Sequence, residues 1–263
     1  MKRKKKVLIT GADGRVGRGA AEQLMRDYDL VLTDIRKGEV CGQPIQIVDL
    51  LDWQQVHHIM KGVDAVVHLA IASFRHNTDM TEDEYDDEVM RVNVMGTQHL
   101  YSAAERAGVK RFVYMSSLTV MLGGKGLERR KGLSTDMPTA PRDLYACSKL
   151  FGEHLGETYA KSTDMAVICL RLGQPWPVKR GRHEKYNLRL ADPSHRAVMV
   201  GYDDIAQMVR CAIEATDVKF KIVNLVSESS HRDVDLSGAA ELGYEPKQYI
   251  IGQPIVCYDE RRQ

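Results

Sequence analysis

The chemistry this chain can perform starts with a tyrosine and a lysine four positions apart. They close the run Tyr145-Ala146-Cys147-Ser148-Lys149, which lies in a helical stretch, so the offset puts both side chains on one face. An ammonium beside a phenol favours the phenolate and lowers its pKa toward the working range of a general base. Upstream, the apolar run Phe112-Val113-Tyr114-Met115 delivers Ser116-Ser117. A hydroxyl there can hold the same substrate oxygen that Tyr145 deprotonates. Alone, each residue has a plainer reading: a chance YxxxK, an interface tyrosine, a strand-end cap. Their position behind a second motif gives them weight.

That motif is Thr10-Gly11-Ala12-Asp13-Gly14-Arg15-Val16-Gly17, directly between a first apolar run and a first helical one. Gly11 permits a tight turn, Gly14 lets the backbone approach a pyrophosphate, and Gly17 lets helix pack on strand. The helix that opens there offers free N–H groups and a positive dipole end. The plain alternative, a flexible loop, lacks this strand before and helix after. Asp34 ends the second apolar run, where a carboxylate accepts both adenosine ribose hydroxyls and repels a 2′-phosphate. The expected cofactor is therefore NAD, with Arg36 leaving a minority case for NADP. Asp49-Leu50 is placed to meet the adenine, or Asp49 caps a helix.

The elements that must position these residues alternate. Short apolar runs at 7–9, 30–32, 45–48, 65–69, 112–115 and 166–170 are separated by helical stretches, including one carrying Val56, Ile59 and Met60, one over about 85–107 and one over about 144–160. Near-continuous apolar strands between amphipathic helices predict an α/β fold, a Rossmann-type doubly wound parallel sheet. Carboxyl ends of such strands are where ligands bind, which is where Ser117 falls. After Arg171 the pattern breaks up, with a helix over about 203–215 and a strand over about 221–226. The expected division is a cofactor-binding domain over 1–173 and a small C-terminal substrate lobe over 174–263, with segments returning to the main sheet.

Bulk properties narrow the classes. The chain has 263 residues and a formal net charge of +1, which gives no general attraction to nucleic acid or to an anionic membrane. The basic start, Lys2 to Lys6, reads as a solvated terminus, and no apolar run is long enough to span a bilayer. Five dispersed cysteines without a CxxC pair read as reduced, mostly buried thiols in a cytoplasmic protein. His57-His58 have no spaced partners, so no metal is expected. The acidic run 82–88 reads as a solvated helix start. The basic stretch 179–185 divides evenly between a solvated loop and a holder of a substrate carboxylate or phosphate.

From about residue 6 to 215 the chain resembles the extended short-chain dehydrogenase/reductase family, also called the NAD-dependent epimerase/dehydratase family. The likeness rests on the glycine turn, His68-Leu69-Ala70, Asn93-Val94-Met95-Gly96-Thr97, Ser116-Ser117, Pro138-Thr139-Ala140-Pro141, the Tyr145/Lys149 pair and Leu170-Arg171-Leu172-Gly173. It implies Ser117, Tyr145 and Lys149 as the catalytic centre. It also implies a cofactor cleft built from Gly11 to Gly17, Asp34, Asp49, Leu50, Leu69, Ala70, Asn93 and Met115, with Tyr145, Lys149 and Leu172 closing it. Lys149 would also hold the nicotinamide ribose. Ser73, Ser117, Thr119, Gln174 and Arg189 are the implied substrate contacts. Leu118-Thr119 follows the serine where dehydratases carry an Asp-Glu pair, which disfavours dehydration. The short lobe and the runs Leu69-Ala70-Ile71-Ala72-Ser73, Tyr202-Asp203-Asp204 and Leu242-Gly243-Tyr244-Glu245-Pro246-Lys247 resemble the uronate dehydrogenases of that family. The implied activity is an NAD-dependent oxidation of a hydroxyl on a small sugar or sugar acid, in a homodimer or higher homo-oligomer. The alternatives are a nucleotide-sugar epimerase and a dinucleotide-sensing protein without turnover.

Overall fold

The computed structural model describes residues 3–73, 78–123, 132–176, 198–229, 234–247, 249–250 and 257–258. Its centre is a seven-stranded, all-parallel sheet. The strands are β1 (Lys6–Thr10), β2 (Asp29–Asp34), β3 (Gln46–Ile47), β4 (Ala65–His68), β5 (Arg111–Ser117), β6 (Ala166–Leu172) and β7 (Phe220–Leu225). Their spatial order is β7-β6-β5-β4-β1-β2-β3. The direction of winding reverses between β1 and β4, which opens a crevice at their carboxyl ends. Thr10-Gly11 and Leu69-Ala70 lie at that crevice.

Alternation along the strands splits the interior into two layers. Val7, Ile9, Val67, Val113, Ile168 and Leu170 face one side, covered by α1 (Arg15–Leu24) and α6 (Tyr202–Glu214). Leu8, Val66, Phe112, Tyr114, Val167 and Cys169 face the other. There α2 (Trp53–Ile59), α4 (Thr97–Arg106) and α5 (Leu144–Ser162) cover them. Complete burial of such side chains is worth about 1.5–3 kcal/mol each. After residue 173 the chain is tied to this body, since β7 pairs with β6 and α6 packs on α1. A two-stranded ribbon, Gln174–Trp176 beside Met199–Gly201, rises from the end of β6.

The structure corrects several expectations. The third strand shrinks from 45–48 to Gln46–Ile47, because Ile45 and Val48 turn inward as loop anchors. The helix expected over 85–107 starts earlier, as α3 (Glu82–Glu88), where Thr81 and Glu84 form a reciprocal cap. It then widens into a π-helical stretch, Val89–Gly96, before α4. Asn93 is buried within that stretch, whose wider turns a 3.6-residue pattern does not describe. Of the four cysteines whose side chains are described, Cys169 is buried and Cys211 half-buried, whereas Cys41 and Cys147 are exposed. Among the described residues no helix is long and apolar enough to cross a membrane.

Candidate active site and cofactor turn

The turn between β1 and α1 has the shape a dinucleotide needs. Gly11 adopts φ +68°, and a Cβ on it would lie 2.6 Å from the Ala70 backbone nitrogen. A Cβ on Gly17 would lie 2.1 Å from the Gly11 carbonyl oxygen, so helix and turn touch there. A Cβ on Gly14 would meet only that same oxygen, at 3.2 Å. Gly14 is also the N-cap of α1 and supplies no side-chain cap. The first N–H groups of α1 are thus left to an anion, as pyrophosphate binding requires. Arg15 is exposed and Val16 half-buried at this start.

Asp34 is nearly buried at the end of β2. One carboxylate oxygen accepts the Asp13 N–H at 3.0 Å, and the other accepts the Arg36 N–H at 3.2 Å. The Arg36 guanidinium stands 3.7 Å from Asp34 and 3.4 Å from Asp13, and Arg18 also pairs with Asp13. A carboxylate fixed by two backbone N–H groups beside the glycine turn fits a ribose diol. Glycine cradle, uncapped helix and fixed acid together suit a dinucleotide.

Asp49 does not cap a helix. Asp52 does, accepting the Gln54 and Gln55 N–H groups, while Asp49 accepts from Leu51 in a local turn. Three residues of separation placed the cap beyond what the sequence distinguished. Leu50 is buried against Gly96, and His99 Nδ1 meets its carbonyl oxygen at 2.8 Å. Leu69, Met115 and Leu172 are buried at the carboxyl ends of β4, β5 and β6, and Ala70 is half-buried beside Gly11.

The three proposed catalytic residues converge. Ser117 ends β5 and its side chain hydrogen-bonds Tyr145. It also accepts the Thr119 N–H at 3.2 Å and the Thr119 hydroxyl at 3.0 Å, so it caps a short turn as well. Lys149 is buried, donates to the Met115 carbonyl oxygen at 2.8 Å, and lies 5.1 Å over the Tyr114 ring and 5.7 Å from the Tyr145 ring centre. Asp143 starts α5 by capping it at Ala146. Asn93 accepts the Ala72 N–H at 2.8 Å and donates to Ser148 at 3.0 Å, which joins the loop after β4 to α5.

The acidification of Tyr145 by Lys149 is not what the structure displays. Burial is the largest influence on the phenol and pushes its pKa up, with Ser117's hydrogen bond pulling it down and Tyr85 and Asp143 adding to the rise. Burial also depresses the Lys149 ammonium to about 7, against Glu153, which raises it. The hydrogen bond of the lysine goes to Met115 rather than to the phenol.

Ser73 is exposed, Thr119 is half-buried beside Ser117, and Gln174 is exposed, with its backbone N–H on Val198 at 2.7 Å. Arg189 and the basic stretch 179–185 lie outside the described residues.

Two buried polar clusters escaped the sequence reading. His68 bridges the hydroxyls of Thr10, at 2.7 Å, and Thr97, at 2.9 Å. Glu153 takes Arg171 on both oxygens, each at 2.9 Å, and accepts Ser116 at 2.6 Å. An arginine inside an otherwise apolar strand was the available signal for the second, because so buried a cation requires an acid.

The sequence pattern that describes the NAD dependent epimerase/dehydratase family matches residues 7–187. The chain belongs to that family. Within this epimerase/dehydratase family it is 28% identical to uronate dehydrogenase of Pseudomonas syringae pv. tomato, over 92% of this chain and 82% of that one. It is 31% identical to the L-arabinose 1-dehydrogenase (NAD(P)(+)) of Haloferax volcanii, over 92% and 96%. The crystal structure of uronate dehydrogenase from Agrobacterium tumefaciens superposes with a TM-score of 0.75 at 25% identity, covering 93% of this chain and 85% of that one. The fold is shared with that uronate dehydrogenase over most of both chains.

Proposed function

We propose that this protein oxidises a hydroxyl of a small sugar or sugar acid with NAD. The observation that carries the reading is the Ser117–Tyr145 hydrogen bond at the carboxyl end of β5, with Lys149 one helical turn away, in a sheet whose first strand runs into the glycine turn. The turn at 11–17 and Asp34 would hold NAD, which supplies the hydride acceptor. Ser117 orients the substrate oxygen, Tyr145 takes its proton, and the charge of Lys149 offsets the cost of forming a buried phenolate. The similarity to dehydrogenases of uronates and of arabinose supports a free sugar or sugar acid as substrate. Ser73, Thr119, Gln174 and Arg189, with the lobe over 174–263, would face it. The same reading takes the protein as cytoplasmic and as a homodimer joined by helices around 96–107 and 144–160.

The test mixes protein and NAD with a panel of aldoses and uronic acids and follows NADH absorbance. Formation of NADH with one member, reduced by a factor of about 10²–10⁴ in Tyr145→Phe, is expected. Retained cofactor with interconversion of nucleotide sugars and no net NADH would replace the reading with an epimerase. NAD binding with no turnover of any member, indifferent to Tyr145→Phe, would replace it with a sensor.

A further inference from the structure

The strand β5 and the helix α5 are joined at three consecutive strand positions. The Met115 carbonyl accepts from Lys149, the Ser116 hydroxyl donates to Glu153, and the Ser117 hydroxyl bonds Tyr145. Tyr145, Lys149 and Glu153 lie four residues apart in turn and so form one ladder on α5. Tyr114 belongs to the same contact, because a Cβ on Gly152 would lie 2.2 Å from its ring. Two of the ladder's rungs belong to the catalytic reading. The third, Glu153, is buried and held from behind by Arg171, which pairs in register with Ser116 across β5 and β6.

We propose that Glu153 is a positioning residue that keeps Lys149 charged while Tyr145 takes its proton. The inference rests on the dehydrogenase reading for its purpose, but the electrostatic claim concerns the protein alone. A buried carboxylate costs several kcal/mol, and if its task were only to neutralise Arg171, an apolar pair would fill the space as well. Its position one turn from Lys149 gives it a second task.

The groups facing the lysine are few. From β5 come the Tyr114 ring and the Met115 carbonyl, from α5 Tyr145 and Glu153, and from β4 His68, on which Lys149 itself acts. Among them Glu153 supplies the anion that opposes the burial of Lys149. Arg171 stands one strand further off, on β6, and pairs with both oxygens of that carboxylate. The hydrogen bonds from Ser116 and Arg171 occupy both oxygens, so the carboxylate is fixed in place and cannot swing to bind the lysine directly.

The experiment follows the Lys149 side-chain carbon by NMR through a pH titration of cofactor-free protein, with Lys149→Met assigning the resonance. The variants are Glu153→Gln and, because a lone buried Arg171 threatens folding, the double variant Glu153→Gln/Arg171→Met. The titration midpoint is expected to fall by about one pH unit or more in Glu153→Gln and by less in the double variant, where a cation leaves as well. The falling alkaline limb of kcat/KM for the sugar that the wild type oxidises moves down in the same order. An unmoved lysine midpoint in folded variants overturns the proposal, even if activity drops, since a purely structural glutamate would lower kcat at every pH without shifting the limb. Absence of turnover in the wild type would sink the dehydrogenase reading and leave the lysine titration to decide this one.

Discussion

Asn93 Nδ2 donates to Ser148 Oγ at 3.0 Å, and Ser148 Oγ in turn donates to the Tyr145 carbonyl oxygen at 2.7 Å. The π-helical stretch is therefore coupled to the backbone of Tyr145, the proposed proton acceptor, through one serine. On its other side Asn93 accepts from Ala72, so a single amide joins the crevice wall to the base of α5. Asn93→Ala leaves the Ala72 N–H and Ser148 without these partners, at a cost of about 1–3 kcal/mol. Denaturant melts should show the loss. A larger fall in kcat than in cofactor affinity is expected beside it, and a fully wild-type melt would contradict the bracing role.

In the proposed cofactor site the choice between NAD and NADP turns on Asp34. Asp34→Ala removes the acceptor for the ribose diol and should weaken NAD binding by a factor of about ten to a hundred, the scale of a hydrogen bond to a charged group. It also frees Arg36, now 3.7 Å from that carboxylate, to meet a 2′-phosphate. The ratio of NADP to NAD affinity, read by fluorescence titration, should therefore rise. An unchanged ratio would show that Asp34 takes no part in the choice.

Two glycines of one turn should fail in different ways. A methyl at Gly17 lands 2.1 Å from the Gly11 oxygen and 2.8 Å from Ala12 Cα, both backbone atoms that cannot yield cheaply. Gly17→Ala should destabilise by about 1–3 kcal/mol or more and lower Tm by roughly 2–4 °C for each kcal/mol. At Gly14 the one near contact is at 3.2 Å, so Gly14→Ala should cost less stability than Gly17→Ala and, on the proposed role of the turn in approaching the pyrophosphate, lose NAD affinity. Equal melting losses in the two would contradict the assignment of packing to one and ligand approach to the other.

His68 makes stability depend on pH. Burial is the main influence on the imidazole, with the Lys149 charge adding to it, and together they lower its pKa from 6.5 to about 3. Between those values the unfolded chain binds a proton that the folded chain does not, so stability falls as pH drops from about 6.5 toward 3. His68→Gln keeps a donor and an acceptor between Thr10 and Thr97 and removes the titration. It should flatten the acid side of the stability curve, measured as urea midpoints across that window. An equally steep curve in the variant would place the acid sensitivity elsewhere.

Part of the site was written in local sequence. The strand–glycine–helix junction at 10–17, the carboxylate at Asp34 and the shared face of Tyr145 and Lys149 all depend on spacings within a few residues, where backbone geometry leaves little choice. The strands and their parallel, doubly wound arrangement followed from apolar runs alternating with helical stretches. Pattern reading failed where a different local solution fitted as well: Asp52 rather than Asp49 as the cap, and a π-helical stretch inside an apparently regular helix.

What only the tertiary structure decided is the electrostatic state of the centre. The sequence placed a cation beside a phenol and so implied an acidified tyrosine, but the depth of both groups governs the outcome, and burial raises Tyr145 while it depresses Lys149. The partners that answer this burial come from far along the chain: Met115 lies 34 positions from Lys149, and Ser116 lies 37 from Glu153. Desolvation is a property of everything packed around a group, and no spacing within one helix carries it.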